Sequence, residues 1–179
     1  HAGEWHDFNP RVLESLTTLR LITGNQYKVD VEEKMLESML SRIGKDGLYY
    51  NAPYRKDAPW RTGGGAGYRD KPIREDDDIT EVNGDAQLLV ALIARYQRDR
   101  DPRLLEVAKG LAKGLIDIAI YKEDYAYYPA TSSIGLEFAR YKKTGWPDTE
   151  EALDEYQGAE RAVACYVAIP ARALCKWYE

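Results

Sequence analysis

The chain has 179 residues, of which 44% are hydrophobic and 31% charged, and it carries a formal net charge of −5 at neutral pH. This composition is typical of one globular domain with its own core, and the negative charge argues against a broad surface for nucleic acid or anionic membranes. No apolar run reaches the roughly 18 residues that a membrane-spanning helix needs. We therefore expect neither nucleic acid nor a membrane as a partner.

The first predicted element is a helical hairpin over residues 10–44. Its first helix begins at Pro10 and stops at Gly24, and its second helix is capped by Asp30 and stops at Gly44. Apolar residues recur at helical spacing in both segments. Because the link between the two helices is short, we expect them to be antiparallel neighbours.

A turn and a Tyr-rich segment follow at residues 46–50, where Asp-Gly favours a tight turn and Leu-Tyr-Tyr favours an extended chain. Residues 51–78 contain several prolines, a glycine run at 63–67 and an acidic run at 75–78, which predict a long irregular loop. Such loops are uncommon in compact domains and are often functional. The glycine run matches neither a dinucleotide-binding motif nor a P-loop, so we interpret it as flexible chain.

A second hairpin is predicted over residues 80–120, with its first helix starting near Thr80 or Asn83 and its second opened by Asp101-Pro102. Another Tyr-rich extended segment follows at residues 125–129. Residues 158–179 are predicted to form the first helix of a third hairpin, in which Pro170 produces a kink rather than a stop.

The order of helix, short link, helix, Tyr-rich segment and long loop thus occurs twice and begins a third time, with a period of roughly 75 to 80 residues. The odd-numbered helices also end in similar sequences, at residues 19–24, 94–99 and 175–179. We predict one all-α domain over residues 1–179, an incomplete (α/α) toroid of antiparallel hairpins with short extended Tyr-rich segments in its loops. The last helix needs a partner to cover it, so the remainder of the barrel is expected outside this sequence.

The two cysteines, Cys165 and Cys175, lie on the same predicted helix, where ten residues separate them by about 15 Å. A disulfide needs Cα atoms within about 7 Å, and their spacing is not that of metal ligands, so we interpret both as core residues. The sequence predicts neither a metal nor a cofactor. It shows no secretory signal, which processing could have removed, and it is compatible with a secreted or periplasmic protein.

The hairpins resemble those of the six-hairpin (α/α)6 toroid proteins, in the stretch from Arg95 to a helix start at Asp101-Pro102-Arg103. Within that superfamily, Trp5-His6 and the segment at 46–50 resemble the group around the β-L-arabinofuranosidases. The superfamily includes many glycoside hydrolases and polysaccharide lyases, so the resemblance implies a carbohydrate ligand. The zinc-bound cysteine nucleophile of the arabinofuranosidase group is not implied, because this chain has no cysteine cluster.

In such toroids, the loops that lead into the inner helices gather at one end and form the substrate cleft. Three loops of this chain, before the first, third and fifth helices, would meet there. The predicted catalytic carboxylates in these loops are Asp77, Asp78, Glu81, Glu155 and Glu160, with Asp85 close to the second group. The predicted substrate-binding residues are Trp5, His6, Trp60, Arg69 and Tyr156.

Paired carboxylates are the groups that glycoside hydrolysis needs, about 5 Å apart in retaining enzymes and roughly 6.5–9.5 Å apart in inverting ones. One carboxyl group must be protonated near neutral pH, and burial or adjacent carboxylates can raise its pKa. We therefore expect a carbohydrate-active protein that acts as a glycoside hydrolase at the N-terminal ends of the inner helices.

Other interpretations stay open at this point. The acidic run could be a solvated helix N-terminus or a calcium site, and His6 could be a surface residue. The hairpins could also form a non-catalytic scaffold or a carbohydrate-binding segment of a larger assembly. A sugar epimerase or a cyclase on the same fold would be favoured by a histidine-lined cavity, but the chain has only two histidines. The sequence thus leaves enzymatic activity open.

Overall fold

The computed structural model describes residues 8–50, 79–128, 131–133, 136–138, 140–142, 145–146 and 159–179. This part of the chain is mostly helical, as predicted. Its helices are α1 (Phe8–Thr23), α2 (Val29–Leu40), α3 (Val82–Asp99), α4 (Pro102–Ile118) and α5 (Ala159–Tyr178). Its strands are β1 (Ile79–Glu81), β2 (Ile120–Tyr121), β3 (Ala126–Tyr127), β4 (Thr131–Ser133), β5 (Leu136–Phe138) and β6 (Arg140–Lys142).

The helix ends follow local chemistry in most places. Gly24 has φ +66° and donates its N–H to the carbonyl of Arg20 at 2.8 Å, which closes α1. Arg100, with φ +56°, closes α3 through the carbonyl of Tyr96 at 2.8 Å. Asp101 caps α4 by accepting the N–H of Arg103 at 2.8 Å. The expectation that Asp30 caps α2 is wrong, because α2 already begins at Val29 and Asp30 lies within its first turn.

The central element of the structure is α3, which packs against α1, α4 and α5. Its sequence is apolar on nearly every side, and twelve of its 18 residues are buried. A helix that is apolar all round is one that neighbours surround. The helix α2 contacts α1 and reaches α3 through ion pairs between Glu32 and Arg95.

The odd-numbered helices run in the same direction. Arg20 near the end of α1 and Arg95 near the end of α3 bind the same carboxylate, that of Glu32. Residues near the ends of α3 and α5, among them Tyr96 and Trp177, line one cavity. The three helices therefore run parallel to one another, and the N-terminal ends of α1, α3 and α5 lie on the same side of the structure. The helix α5 continues through Pro170, so that proline does not stop it.

Short antiparallel pairings follow both α2 and α4. After α2, Ile43 forms an antiparallel bridge with Tyr49, and after α4 the strands β2 and β3 pair Ile120 with Tyr127. A short antiparallel pairing thus follows each of these two helices. Each Tyr-rich segment folds back on the end of the helix that precedes it.

The turn after α2 packs directly against α4. A Cβ atom on Gly47, which has φ +83°, would collide with the backbone carbonyl of Gly110. A Cβ atom on Gly114 would come within 2.7 Å of the carbonyl oxygen of Asp46. Gly47 and Gly114 must therefore both be glycine, because a side chain at either position would prevent the close contact between the two backbones. The contact fixes where the following residues, Tyr49 and Tyr50, lie.

The strand β1 leads into α3 and pairs with β6 in antiparallel register, Thr80 opposite Tyr141 and Glu81 opposite Arg140. The strands β4 and β5 form a second short ladder. None of these strands was expected from the sequence, since two or three residues are too few to show a periodic pattern. No helix within the described residues has the length and apolar character needed to cross a membrane.

Candidate functional site

A group of three carboxylates lies around the N-terminal end of α3, and we call Asp46, Glu81 and Asp85 the acidic cluster. Asp46 comes from the turn after α2, Glu81 is the last residue of β1, and Asp85 lies in the first turn of α3. The docking of the turn on α4 and the pairing of β1 with β6 bring the three segments together.

Asp85 is the buried member of the acidic cluster, with no solvent exposure. One carboxylate oxygen accepts the backbone N–H of Tyr49 at 2.7 Å, and the other accepts the hydroxyl of Thr80 at 2.5 Å. Burial raises the pKa of Asp85 well above its usual range, against the two hydrogen bonds that lower it. The negative charges of Asp46 and Glu81 raise that pKa further. Asp85 therefore keeps its proton to a higher pH than a free aspartate does.

Asp46 is held by the residues that follow it. Its two carboxylate oxygens accept the N–H of Leu48 at 3.2 Å and the hydroxyl of Tyr50 at 2.5 Å. Burial first, and then the contact with Asp46, raise the pKa of Tyr50 above its usual value. Tyr50 thus stays a neutral phenol that donates to Asp46 throughout the physiological range.

Tyr49 connects the acidic cluster to Arg42, which follows α2. It has no solvent exposure, and burial raises the pKa of its phenol, against the nearby positive charge of Arg42. The guanidinium carbon of Arg42 lies 5.3 Å from the ring centre of Tyr49, which is within the range of a cation–π contact. The tyrosine is thereby fixed in both ring position and ionisation state.

Polar and aromatic groups surround the acidic cluster. The side-chain oxygen of Asn83 is buried and has no hydrogen-bond donor among the described residues. A buried acceptor without a donor destabilises the protein, and a hydrogen bond from a ligand hydroxyl would remove that destabilisation. Tyr141, opposite Thr80 on β6, packs edge-on against Trp146 with ring centres 5.1 Å apart. Both rings are half-buried and so retain some accessible surface.

Of the predicted catalytic residues, Glu81 lies in the acidic cluster and is half-buried. Glu160 lies in the first turn of α5, and its side chain is outside what the structure describes. The other eight predicted site residues also lie outside the described residues: Asp77, Asp78, Glu155, Trp5, His6, Trp60, Arg69 and Tyr156. Their roles remain predictions.

Sequence reasoning did not select Asp46, Asn83, Tyr49 or Tyr50 for the site. One signal could have found three of them, because residues 46–50 and 124–128 both place Asp three residues before a Tyr-Tyr pair. A pattern that recurs at the same place in both hairpins indicates a shared structural requirement. Asn83 gives no such signal.

A second buried carboxylate lies toward the opposite end of α3. Glu32 has no solvent exposure, and its oxygens accept hydrogen bonds from Arg20, from Arg95, and from Arg98 at 2.9 Å. Thr17 adds a hydroxyl contact at 3.3 Å. Burial works against ionisation, but the three guanidinium groups outweigh it and lower the pKa of Glu32. Because side chains occupy both of its oxygens, we assign Glu32 a structural role.

The described residues contain no group of three or more histidine, cysteine, aspartate or glutamate side chains arranged to hold a metal ion. Comparisons of the chain with protein-family models, with curated proteins and with solved structures find no match.

Proposed function

We propose that the protein is carbohydrate-active and hydrolyses glycosidic bonds at the N-terminal end of α3. The observation that carries this proposal is the acidic cluster, in which Asp85 is buried with a raised pKa beside Asp46 and Glu81. Glycoside hydrolysis needs two carboxyl groups whose environments separate their pKa values, and in this proposal the cluster supplies one of them.

Within this proposal, Glu81 is the catalytic member of the cluster. It is half-buried at the end of β1, whereas Asp85 is fully enclosed. Glu81 protonates the leaving oxygen or acts as the base, and the second carboxylate is that of Glu160, in the first turn of α5, or of Glu155, which precedes that helix in the sequence. The parallel direction of α3 and α5 supports this pairing, since it places the first turn of α5 at the same end as Glu81.

Asp85 acts in this proposal as a positioning residue. Its bonds to Thr80 and to the backbone of Tyr49 tie β1 and the Tyr-rich turn to α3. Glu81 follows Thr80 directly, so Asp85 determines where Glu81 can lie. A sugar would contact the half-buried pair Tyr141 and Trp146, because aromatic faces with polar edges suit polyhydroxylated ligands.

The test is the release of reducing sugar from a panel of glycans by the wild type and by the variants Glu81→Gln and Glu160→Gln. A carboxylate that transfers the proton contributes about 10²–10⁴-fold to the rate, so we expect losses of that order. The matched control is Asp117→Asn, a change to an exposed carboxylate on α4 that pairs with Lys113. Hydrolysis that is unchanged in both glutamate variants would overturn the site assignment.

A second candidate function is that of a non-catalytic carbohydrate-binding or scaffold segment. The observation that favours it is that each oxygen of the fully buried Asp85 accepts a hydrogen bond from a protein group. Glycan binding measured by calorimetry without any release of sugar would support this function. In that case, Trp146→Ala should weaken binding, whereas Glu81→Gln should not.

A further inference from the structure

A cavity of about 210 Å³ lies where the C-terminal ends of α3 and α5 meet the first turns of α4. Its apolar wall includes Ile93, Leu105 and Ala108, and its aromatic wall consists of Tyr96 and Trp177. Tyr96 follows Asn83 by thirteen residues, which corresponds to about 20 Å along a helix. The cavity is therefore separate from the acidic cluster.

In the predicted internal repeat, this cavity lies in the second hairpin at the position that Glu32 occupies in the first. Glu32 is the fourth residue of α2, which starts between the ends of α1 and α3. Leu105 is the fourth residue of α4, which starts between the ends of α3 and α5. In the first hairpin, the helix itself supplies a carboxylate to the cations of its neighbours. In the second hairpin, the matching position is a leucine that lines the cavity.

Cationic side chains are nevertheless present in the cavity that Leu105 lines. Arg100 and Lys176 both line the cavity, as does one carboxylate, that of Glu179. The guanidinium carbon of Arg100 lies 5.7 Å from the ring centre of Tyr96. Within the part of the chain that the structure describes, neither Arg100 nor Lys176 has a carboxylate within ion-pair distance. The lining thus includes two cationic side chains and one carboxylate side chain.

We propose that this cavity binds a small carboxylic acid with an aromatic or branched aliphatic body. The ligand carboxylate would take the place that the Glu32 carboxylate has in the first hairpin, and Arg100 and Lys176 would bind it. The apolar body would lie between Tyr96 and Trp177. A cavity of about 150 Å³ holds benzene, so the larger volume here can hold a ring together with its carboxylate. This proposal does not depend on glycoside hydrolysis.

The experiment titrates the protein with benzoate and with isovalerate, and follows the indole N–H resonance of Trp177 by NMR. We expect saturable binding of at least one acid, and at least about tenfold weaker binding of benzyl alcohol, which lacks the charge. Absence of saturable binding of both acids at millimolar concentration would overturn the proposal. So would equal affinity for benzyl alcohol, since the cations would then contribute nothing.

Variants locate the binding in the cavity. Leu105→Glu supplies the carboxylate that Glu32 supplies in the first hairpin, so it should abolish binding of the acids. Ala108→Leu reduces the volume and should do the same without any charge change, which keeps the test decisive if the first variant does not fold. Lys176→Met should weaken binding about tenfold or more, and the exposed control Lys113→Met should leave it unchanged. Full affinity in both Leu105→Glu and Ala108→Leu would contradict the assigned location.

Discussion

The two buried carboxylates near the ends of α3 behave in opposite ways. Asp85 and Glu32 both have no solvent exposure. Asp85 is bound by a hydroxyl and a backbone N–H, and its pKa is raised, whereas Glu32 is bound by three guanidinium groups, and its pKa is lowered. The comparison shows that burial raises the pKa of a carboxyl group unless neighbouring cations outweigh it. The carboxyl groups near the two ends of the helix therefore have pKa values shifted in opposite directions.

The largest expected effect on stability comes from removing the charge of Glu32, near the C-terminal end of α3. Glu32→Gln removes the buried negative charge that Arg20, Arg95 and Arg98 share, and leaves Arg95 and Arg98 only their contacts with Glu33 and Asp99. Loss of one partner from a buried ion pair typically costs 3–5 kcal/mol, and we expect urea unfolding to show a loss of about that size. Glu37→Gln is the control, because Glu37 forms an exposed pair with Arg103 at 2.8 Å. The ionic network would be unimportant if both variants lost the same stability.

The next effect tests the backbone that supports Asp85. Gly47→Ala combines the strain of φ +83° with a collision against Gly110, so we expect a loss of roughly 2–4 kcal/mol in the free energy of unfolding. Gly24→Ala is matched to it, because Gly24 also has positive φ but has no heavy atom within 4 Å of an added Cβ. Its expected loss is about 1 kcal/mol. Equal losses by urea unfolding would show that the contact with α4 does not matter.

A smaller effect is expected at Asp85 itself. Asp85→Asn resembles the protonated carboxyl group that the raised pKa favours, and its amide can still accept the N–H of Tyr49. We therefore expect a loss of about 1 kcal/mol or less near pH 7, well below that of Glu32→Gln. A loss as large as that of Glu32→Gln would mean that Asp85 is ionised in the folded protein.

The pH dependence sharpens the comparison further. The free carboxyl groups titrate near pH 3.9 for aspartate and 4.3 for glutamate. Glu32, with a lowered pKa in the fold, contributes stability that is present above about pH 4.3 and is lost as the pH falls through its folded pKa. Asp85, with a raised pKa, destabilises the fold progressively as the pH rises above about 3.9 toward its folded pKa.

The difference in unfolding free energy between wild type and each variant should therefore change with pH in opposite directions. As the pH rises from 3 to 7, the advantage of the wild type should grow relative to Glu32→Gln and shrink relative to Asp85→Asn. Urea titrations at several pH values measure both. Parallel slopes would remove the distinction between the two ends of α3.

Much of the helical structure could be predicted from local sequence. The Asp101-Pro102 start of α4 and the glycine stop of α1 are determined by the backbone chemistry of a few residues. The start of α2 was misjudged because Lys28 adopts a left-handed conformation that its sequence does not signal. The candidate site was only partly found. Glu81 stood out in an acidic stretch, whereas Asn83 and Tyr49 gain their significance from neighbours that lie elsewhere in the chain.

The sequence by itself determined the helices, the two Tyr-rich turns and their repetition, because helical periodicity, caps and turn residues act over a few positions. Only the tertiary structure decided which charges meet. Asp85 binds a backbone group 36 positions away, and Arg95 binds Glu32 across 63 positions. Electrostatic energy and desolvation depend on distances that arise only when helices pack. For that reason, two acidic residues that look alike in the sequence acquire pKa values shifted in opposite directions in the fold.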